Sequence, residues 1–84
     1  MHYVYILKLG NGQLYTGITD DLTRRYNEHR TGRSPFTSKR LPVKLIFYEA
    51  FVNTLDAEKR ERYFKTTKGK ATLRAMLRNC YSPN

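Results

Sequence analysis

A small three-layer α/β/α sandwich is the fold the chain predicts, on three observations: apolar stretches that do not alternate with polar residues, a glycine-rich turn between the first two of the extended segments, and later segments with helical periodicity. The order is strand, strand, helix, strand, helix, helix, or ββαβαα. At 84 residues, this is a single domain, residues 1–84, that buries about 60–65% of the surface its unfolded chain exposes.

Tyr3 to Leu7 is a β-branched and aromatic run with apolar residues on both alternating sets, so as a strand it must be covered on both faces. It predicts the central strand. Gly10-Asn11-Gly12 supplies residues able to adopt positive φ in a tight hairpin, and Leu14 to Ile18 is the returning strand. Two registers are open. If the hairpin is centred on Gly10, residues whose numbers sum to 20 face each other, and Tyr5 pairs with Tyr15 with Cβ atoms about 5 Å apart. A two-residue Asn11-Gly12 turn moves the sum to 23 and puts the two phenols on opposite faces, because an odd slip inverts the side-chain alternation.

Thr19 or Asp20 caps the first helix, with Asp21 in its positive first turn, and the helix runs to about Arg30 before Gly32 ends it. Gly32 to Pro42 sets Arg33, Lys39 and Arg40 among Ser, Thr and Pro without periodicity, a basic surface loop. Lys44 to Phe51 is apolar on both alternating sets, Leu45, Phe47 and Phe51 against Ile46, Tyr48 and Ala50, and so is a third, largely buried strand. Asn53 or Thr54 caps a second helix that continues to about Thr67, with Gly69 as its stop. Leu73, Met76, Leu77 and Cys80, at i, i+3, i+4 and i+7, are the core stripe of the third.

Sixteen Lys and Arg against seven Asp and Glu leave a formal charge of +9. Such an excess repels itself in a small fold unless a polyanion offsets it, which makes nucleic acid the expected partner. Binding of that kind weakens by roughly 10³–10⁵ over a fourfold rise in salt for six to ten phosphate contacts. The lone Cys80 has no intrachain disulfide partner and no companions for a thiolate metal site; it fits a reducing interior and reads as a helix-face filler. No apolar run approaches the ~18 residues of a membrane span, and Met1-His2-Tyr3-Val4 has no charged-then-apolar leader pattern. A soluble cytoplasmic protein with no membrane partner is expected.

Helical phase singles out three charged or polar side chains. At 100° per residue, Arg25 and His29 fall within about 40° of each other, on the side of the first helix that carries Leu22 and Tyr26, while Arg24 and Glu28 take the solvated side. Burying Arg25 or His29 unpaired costs several kcal/mol, so each is hydrogen-bonded or lines a cleft; taken alone, His29 reads as a satisfied structural histidine. On the second helix Ala57, Glu61 and Phe64 stand at i, i+4 and i+7, which places one carboxylate in the middle of a packing face. Glu61 is then either a chemical group or a buried ion-pair partner of Arg25.

These residues sit in a recognisable order. Tyr3-Val4-Tyr5 and Tyr15-Thr16-Gly17 stand where two name-giving triplets would be, Leu22-Thr23-Arg24-Arg25-Tyr26-Asn27-Glu28-His29 resembles an arginine-bearing helix, and Ala57-Glu58-Lys59-Arg60-Glu61-Arg62-Tyr63-Phe64-Lys65 resembles a glutamate-bearing one. With that set the chain resembles the GIY-YIG nuclease family from Tyr3 to about Leu77, and within it small stand-alone bacterial members similar to the N-terminal domain of the excision-repair nuclease. The resemblance implies a three-stranded mixed, mainly antiparallel sheet flanked by helices, and roles for Tyr5, Tyr15, Gly17, Arg25, His29 and Glu61. Tyr3 and Val4 replace the glycine and isoleucine of the first triplet, a change of packing that keeps its tyrosine.

The chemistry that follows is metal-dependent cutting of phosphodiester bonds, in DNA rather than RNA, directed by substrate structure and serving repair or nucleic-acid processing. Glu61 would anchor one Mg²⁺ or Mn²⁺, with water and phosphate completing its octahedron. Arg25 would brace the phosphate with its planar fork, Tyr15 or Tyr5 would act as general base, and His29 would relay or orient a proton. Gly17 would let a sugar–phosphate backbone approach closely, and Arg33, Lys39, Arg40 and Lys44 would track its flanks, leaving specificity to substrate shape or a protein partner. The rival is a non-catalytic basic module binding DNA or structured RNA, whose mark would be loss of the carboxylate; Glu61 is present.

Overall fold

The computed structural model describes residues 1–81. Cover on both faces of Tyr3–Leu7 is achieved by making β1 (His2–Lys8) the middle of a sheet ordered β2-β1-β3, with β2 spanning Leu14–Thr19 and β3 Lys44–Phe51. Both pairings are antiparallel, so the three-stranded sheet is antiparallel throughout and contains no parallel pair. Val4 and Ile6 pack on one side with Ala57, Phe64, Leu73 and Leu77; Tyr5 and Leu7 pack on the other with Leu9, Val43, Leu22 and Tyr26. The three layers are therefore α1 (Leu22–Arg30), the sheet, and the pair α2 (Thr54–Phe64) and α3 (Thr67–Met76), followed by a short α4 (Arg78–Tyr81).

Neither expected hairpin register is adopted. The partners are Tyr3 with Thr19, Tyr5 with Gly17 and Leu7 with Tyr15, a sum of 22. The cause is the turn: the Gly12 amide donates to the Leu9 carbonyl at 2.9 Å, the Leu9 amide to the Gln13 carbonyl at 2.8 Å, and Gly12 alone takes positive φ, +87°. This is a type I turn closed by a left-handed glycine. Because 22 is even, the two phenols still share a face, displaced diagonally rather than directly opposed.

β3 is an edge strand and only half-buried, not the largely buried strand expected. Its two apolar sets are also not separate faces. Ile6 faces Phe47 but Leu7 faces Leu45, so Ile46 is an extra residue, and this bulge lets Ile46 and Phe47 both pack toward α2 and α3 while Leu45 serves the opposite core.

The helix ends follow local chemistry. Asp21, not Thr19 or Asp20, caps α1, its carboxylate accepting from the Arg24 amide at 3.1 Å. At the other end the Gly32 and Arg33 amides donate to the His29 and Glu28 carbonyls with Gly32 at φ +81°, a left-handed stop at the expected residue. Asn53 caps α2 as expected. Gly69 is not the stop of α2; the chain breaks at Lys65 and Thr66, where the Thr66 hydroxyl caps α3. Gly69 lies inside α3, buried where any Cβ would collide with the Tyr63 backbone carbonyl, so it sets how closely α3 closes on α2. Of the expected stripe on α3, Leu73 and Leu77 are core, whereas Met76 and Cys80 are exposed. Cys80 therefore fills no helix face. No helix among the described residues is long and apolar enough to cross a membrane.

Candidate active site

The face of the sheet under α1 collects aromatic and polar side chains that a simple core would not need. Tyr5 projects from β1 and is 1% exposed. It fits because Gly17 stands opposite it on β2: a Cβ there would fall on the Tyr5 ring and hydroxyl. The structure thus gives Gly17 a packing reason, room for the phenol ring, instead of open space for a sugar–phosphate backbone. His29, from the last turn of α1, is fully buried and bonded at both ring nitrogens, Nε2 to the Tyr5 hydroxyl at 2.9 Å and Nδ1 to the Thr37 hydroxyl at 2.8 Å. Thr37 opens a 3₁₀ turn, Thr37–Lys39, in the segment expected to be only a surface loop, and is itself fully buried.

Electrostatics fix the roles within this chain. Burial drives the His29 imidazole down to about 4, assisted by the Arg25 charge and opposed by Glu28. Burial also pushes the Tyr5 phenol up to about 12, with Arg25 beside it pulling down and Tyr15 and Glu61 pushing up. At neutral pH His29 is uncharged and Tyr5 is protonated. With one proton to place on its ring, His29 suits an arrangement in which the Tyr5 hydroxyl donates to Nε2 and Nδ1–H donates to Thr37.

His29 also makes stability pH-dependent. The unfolded chain binds a proton on this residue below its ordinary value of 6.5, while the folded chain resists until about 4. Between those values the unfolded state holds more protons, so stability falls as pH falls, by up to about 3 kcal/mol in all. Urea unfolding at pH 7 and pH 4.5 should show a clear loss of midpoint at the lower pH; a flat profile would mean that His29 is not held neutral.

Outside this buried chain the other candidates gather. The Tyr15 ring packs edge-on to His29 at 5.2 Å and lies 6.4 Å from Tyr5. Beyond it comes Phe36 at 5.6 Å, 49% exposed, with the Arg40 guanidinium 4.0 Å over its ring and donating to its carbonyl. Tyr15 is thus the half-buried phenol at the open side of a ladder whose inner end is Tyr5. Arg25 approaches Tyr5 from α1, is held by Glu28 at 3.1 Å, and is kept charged by that carboxylate despite partial burial. Glu28 is consequently a half-buried partner of the site arginine, not the solvated residue the helical phase suggested.

Glu61 stands on α2, its side chain 19% exposed, and its charge reaches the Tyr5 hydroxyl. It is not ion-paired with Arg25: the nearest cation is Lys65, whose Nζ lies 3.0 Å from Oε2. Among the described residues no three His, Cys, Asp or Glu side chains converge as a preformed cage. The donor set is one carboxylate with one oxygen free of protein hydrogen bonds, which suits a hard, mostly hydrated cation such as Mg²⁺ or Mn²⁺.

Of the other sequence candidates, Arg40 joins the ladder through Phe36. Arg33, Lys39 and Lys44 are exposed, and Arg33 lines the outer side of α1 with Arg24 and Arg30, away from Tyr15. Thr37, Phe36 and Lys65 are additions the sequence did not single out.

The family model for the GIY-YIG catalytic domain matches residues 1–74, most of the chain. The chain belongs to the GIY-YIG family. This is a family of nucleases, whose members act on nucleic acid and in general use divalent metal ions. Among its relatives is a UPF0213 protein of Streptococcus agalactiae, 44% identical over 72 residues that span 84% of this chain and 82% of that one. A UPF0213 protein of Clostridium perfringens is 46% identical over 66 residues, 77% of this chain and 71% of the other. The solution NMR structure of a UPF0213 protein from Bacillus halodurans is 35% identical with a TM-score of 0.58, covering 89% of this chain and 83% of that one. The likeness to small stand-alone bacterial GIY-YIG proteins is thereby shown.

Proposed function

We propose that this GIY-YIG domain is a divalent-metal-dependent endonuclease that hydrolyses phosphodiester bonds in DNA and chooses its substrate by structure rather than by base sequence. One observation supports the reading: the buried Tyr5 hydroxyl, bonded to His29, lies within electrostatic reach of Arg25, Tyr15 and Glu61, which come from three different elements.

Each group has a task matched to its environment. Glu61 would hold one Mg²⁺ or Mn²⁺, and such an ion, when bound, supplies positive charge against the phosphate oxygens. Arg25 stays charged and presents a planar fork able to donate two parallel hydrogen bonds to the same phosphate. Tyr5, buried and pushed up to about 12, is a positioning residue: it stays protonated and is fixed by His29. Tyr15 is therefore the group left to act as general base: as its phenolate it would take the proton of the attacking water as the new P–O bond forms, while the departing ester oxygen, in line on the far side of phosphorus, takes a proton from solvent as its bond breaks. His29 acts through Tyr5 and Tyr15, with both nitrogens already engaged.

Nicking of supercoiled plasmid by the purified chain tests this. Conversion to open circles should require Mg²⁺ or Mn²⁺ and cease on chelation. Salt-sensitive DNA binding without cutting under any divalent metal would favour the non-catalytic binding module.

A further inference from the structure

The cations that line a groove with Tyr15 are not those of the basic loop. A groove of about 670 Å³ lies at the open edge of β2, lined by the hairpin tip, by the end of α2 and the flank of α3, and by Tyr15 and Phe36. Three cations line it, Lys65, Lys70 and Arg74, and no carboxylate does. Their placement is a consequence of the fold. Gly69 and Leu73 are the buried face of α3, so Lys70 and Arg74, each one residue further on and four apart, stand side by side on the flank, about 6 Å apart along the axis. Lys65 at the end of α2 completes the row and touches Glu61, which joins the groove to the candidate active site.

We infer that this groove is the track for the sugar–phosphate backbone of the strand being cut, with Lys65, Lys70 and Arg74 neutralising successive phosphates on one side of the scissile bond. The inference rests on the endonuclease reading for the word cut, but the binding it asserts does not need turnover. Charge complementarity supports the occupant: a one-sided row of cations on a chain of net charge +9 is offset by a polyanion and by little else. Continuity with the candidate site supports it too, because Tyr15 lines the same groove and Lys65 is bonded to Glu61. A surface lysine or arginine is ordinarily just a wet side chain, and Arg24 and Arg30 on the outer side of α1 illustrate it, with Arg24 facing Asp20 and Asp21 and Arg30 bonded to Asn27.

The test is fluorescence anisotropy with a labelled DNA oligonucleotide in chelator, over a series of salt concentrations, on the parent chain, on Lys70→Gln with Arg74→Gln, and on Arg24→Gln with Arg30→Gln. Both pairs remove the same charge from exposed positions, and thermal melts establish that each is folded. The groove pair should weaken binding and make the slope of log K against log salt shallower by about 2, while the α1 pair leaves the slope close to the parent's. Equal slopes in both pairs, or a larger change in the α1 pair, would overturn the inference. Since no metal is present, the slopes decide for or against the groove even in a chain that never cuts DNA, and a chain that cuts with an unaltered slope in the groove pair would sink the groove alone.

Discussion

Glu61→Gln should reduce nicking of supercoiled plasmid in Mg²⁺ by about 10³-fold or more while leaving DNA binding and folding near those of the parent chain. The carboxylate is the one acid whose charge is felt at Tyr5 from α2, and it retains an oxygen without a protein hydrogen bond. Glutamine keeps the shape and removes the anion that would hold the cation. The charge stabilisation such an ion offers is worth several kcal/mol, and each ~1.4 kcal/mol is tenfold in rate. Stability should hardly change, because the pair lost, Glu61 with Lys65, is partly exposed, and pairs of that kind are worth about 0.2–1 kcal/mol. Substantial cutting by the variant would move the metal elsewhere.

Arg25→Ala should lower cutting by about 10²-fold. Two charge-assisted hydrogen bonds to phosphate are worth about 1.5–3 kcal/mol each, part of which persists in the ground state. Arg25→Lys should recover little of the loss, since it restores the charge without the fork. The arginine's side chain is 33% exposed and its Glu28 partner equally so, so the alanine variant should remain folded, which separates the kinetic effect from unfolding. A lysine variant as active as the parent chain would mean that Arg25 supplies field rather than geometry.

What could be read from the chain beforehand was whatever depends on periodicity. The unbroken apolar character of Tyr3–Leu7 demanded cover on both faces, and from that came the central strand and the three layers. Helical phase turned Arg25, His29 and Glu61 away from open solvent, where the structure places them. What escaped depends on single hydrogen bonds and on non-local fit. The hairpin register turned on which of two glycines would adopt positive φ, and Gly12 alone did. Lys44–Phe51 looked buried because a bulge at Ile46 lets neighbouring residues share a face, something strict alternation cannot represent. Thr37 carried no signal at all: its segment has no period, and only its meeting with His29 in three dimensions makes it part of the site. Gly17 was legible as a glycine that matters, though its reason is the Tyr5 ring.

Single-turnover cleavage of a labelled DNA substrate by Arg25→Ala, Glu61→Gln and the double variant measures most directly whether these groups form one site. Residues that serve the same transition state are not additive, so the double variant should cut no more than about tenfold more slowly than Glu61→Gln alone. A double variant slower by the full product of the two single losses, about 10⁵-fold below the parent chain, would show two independent contributions and contradict a shared centre.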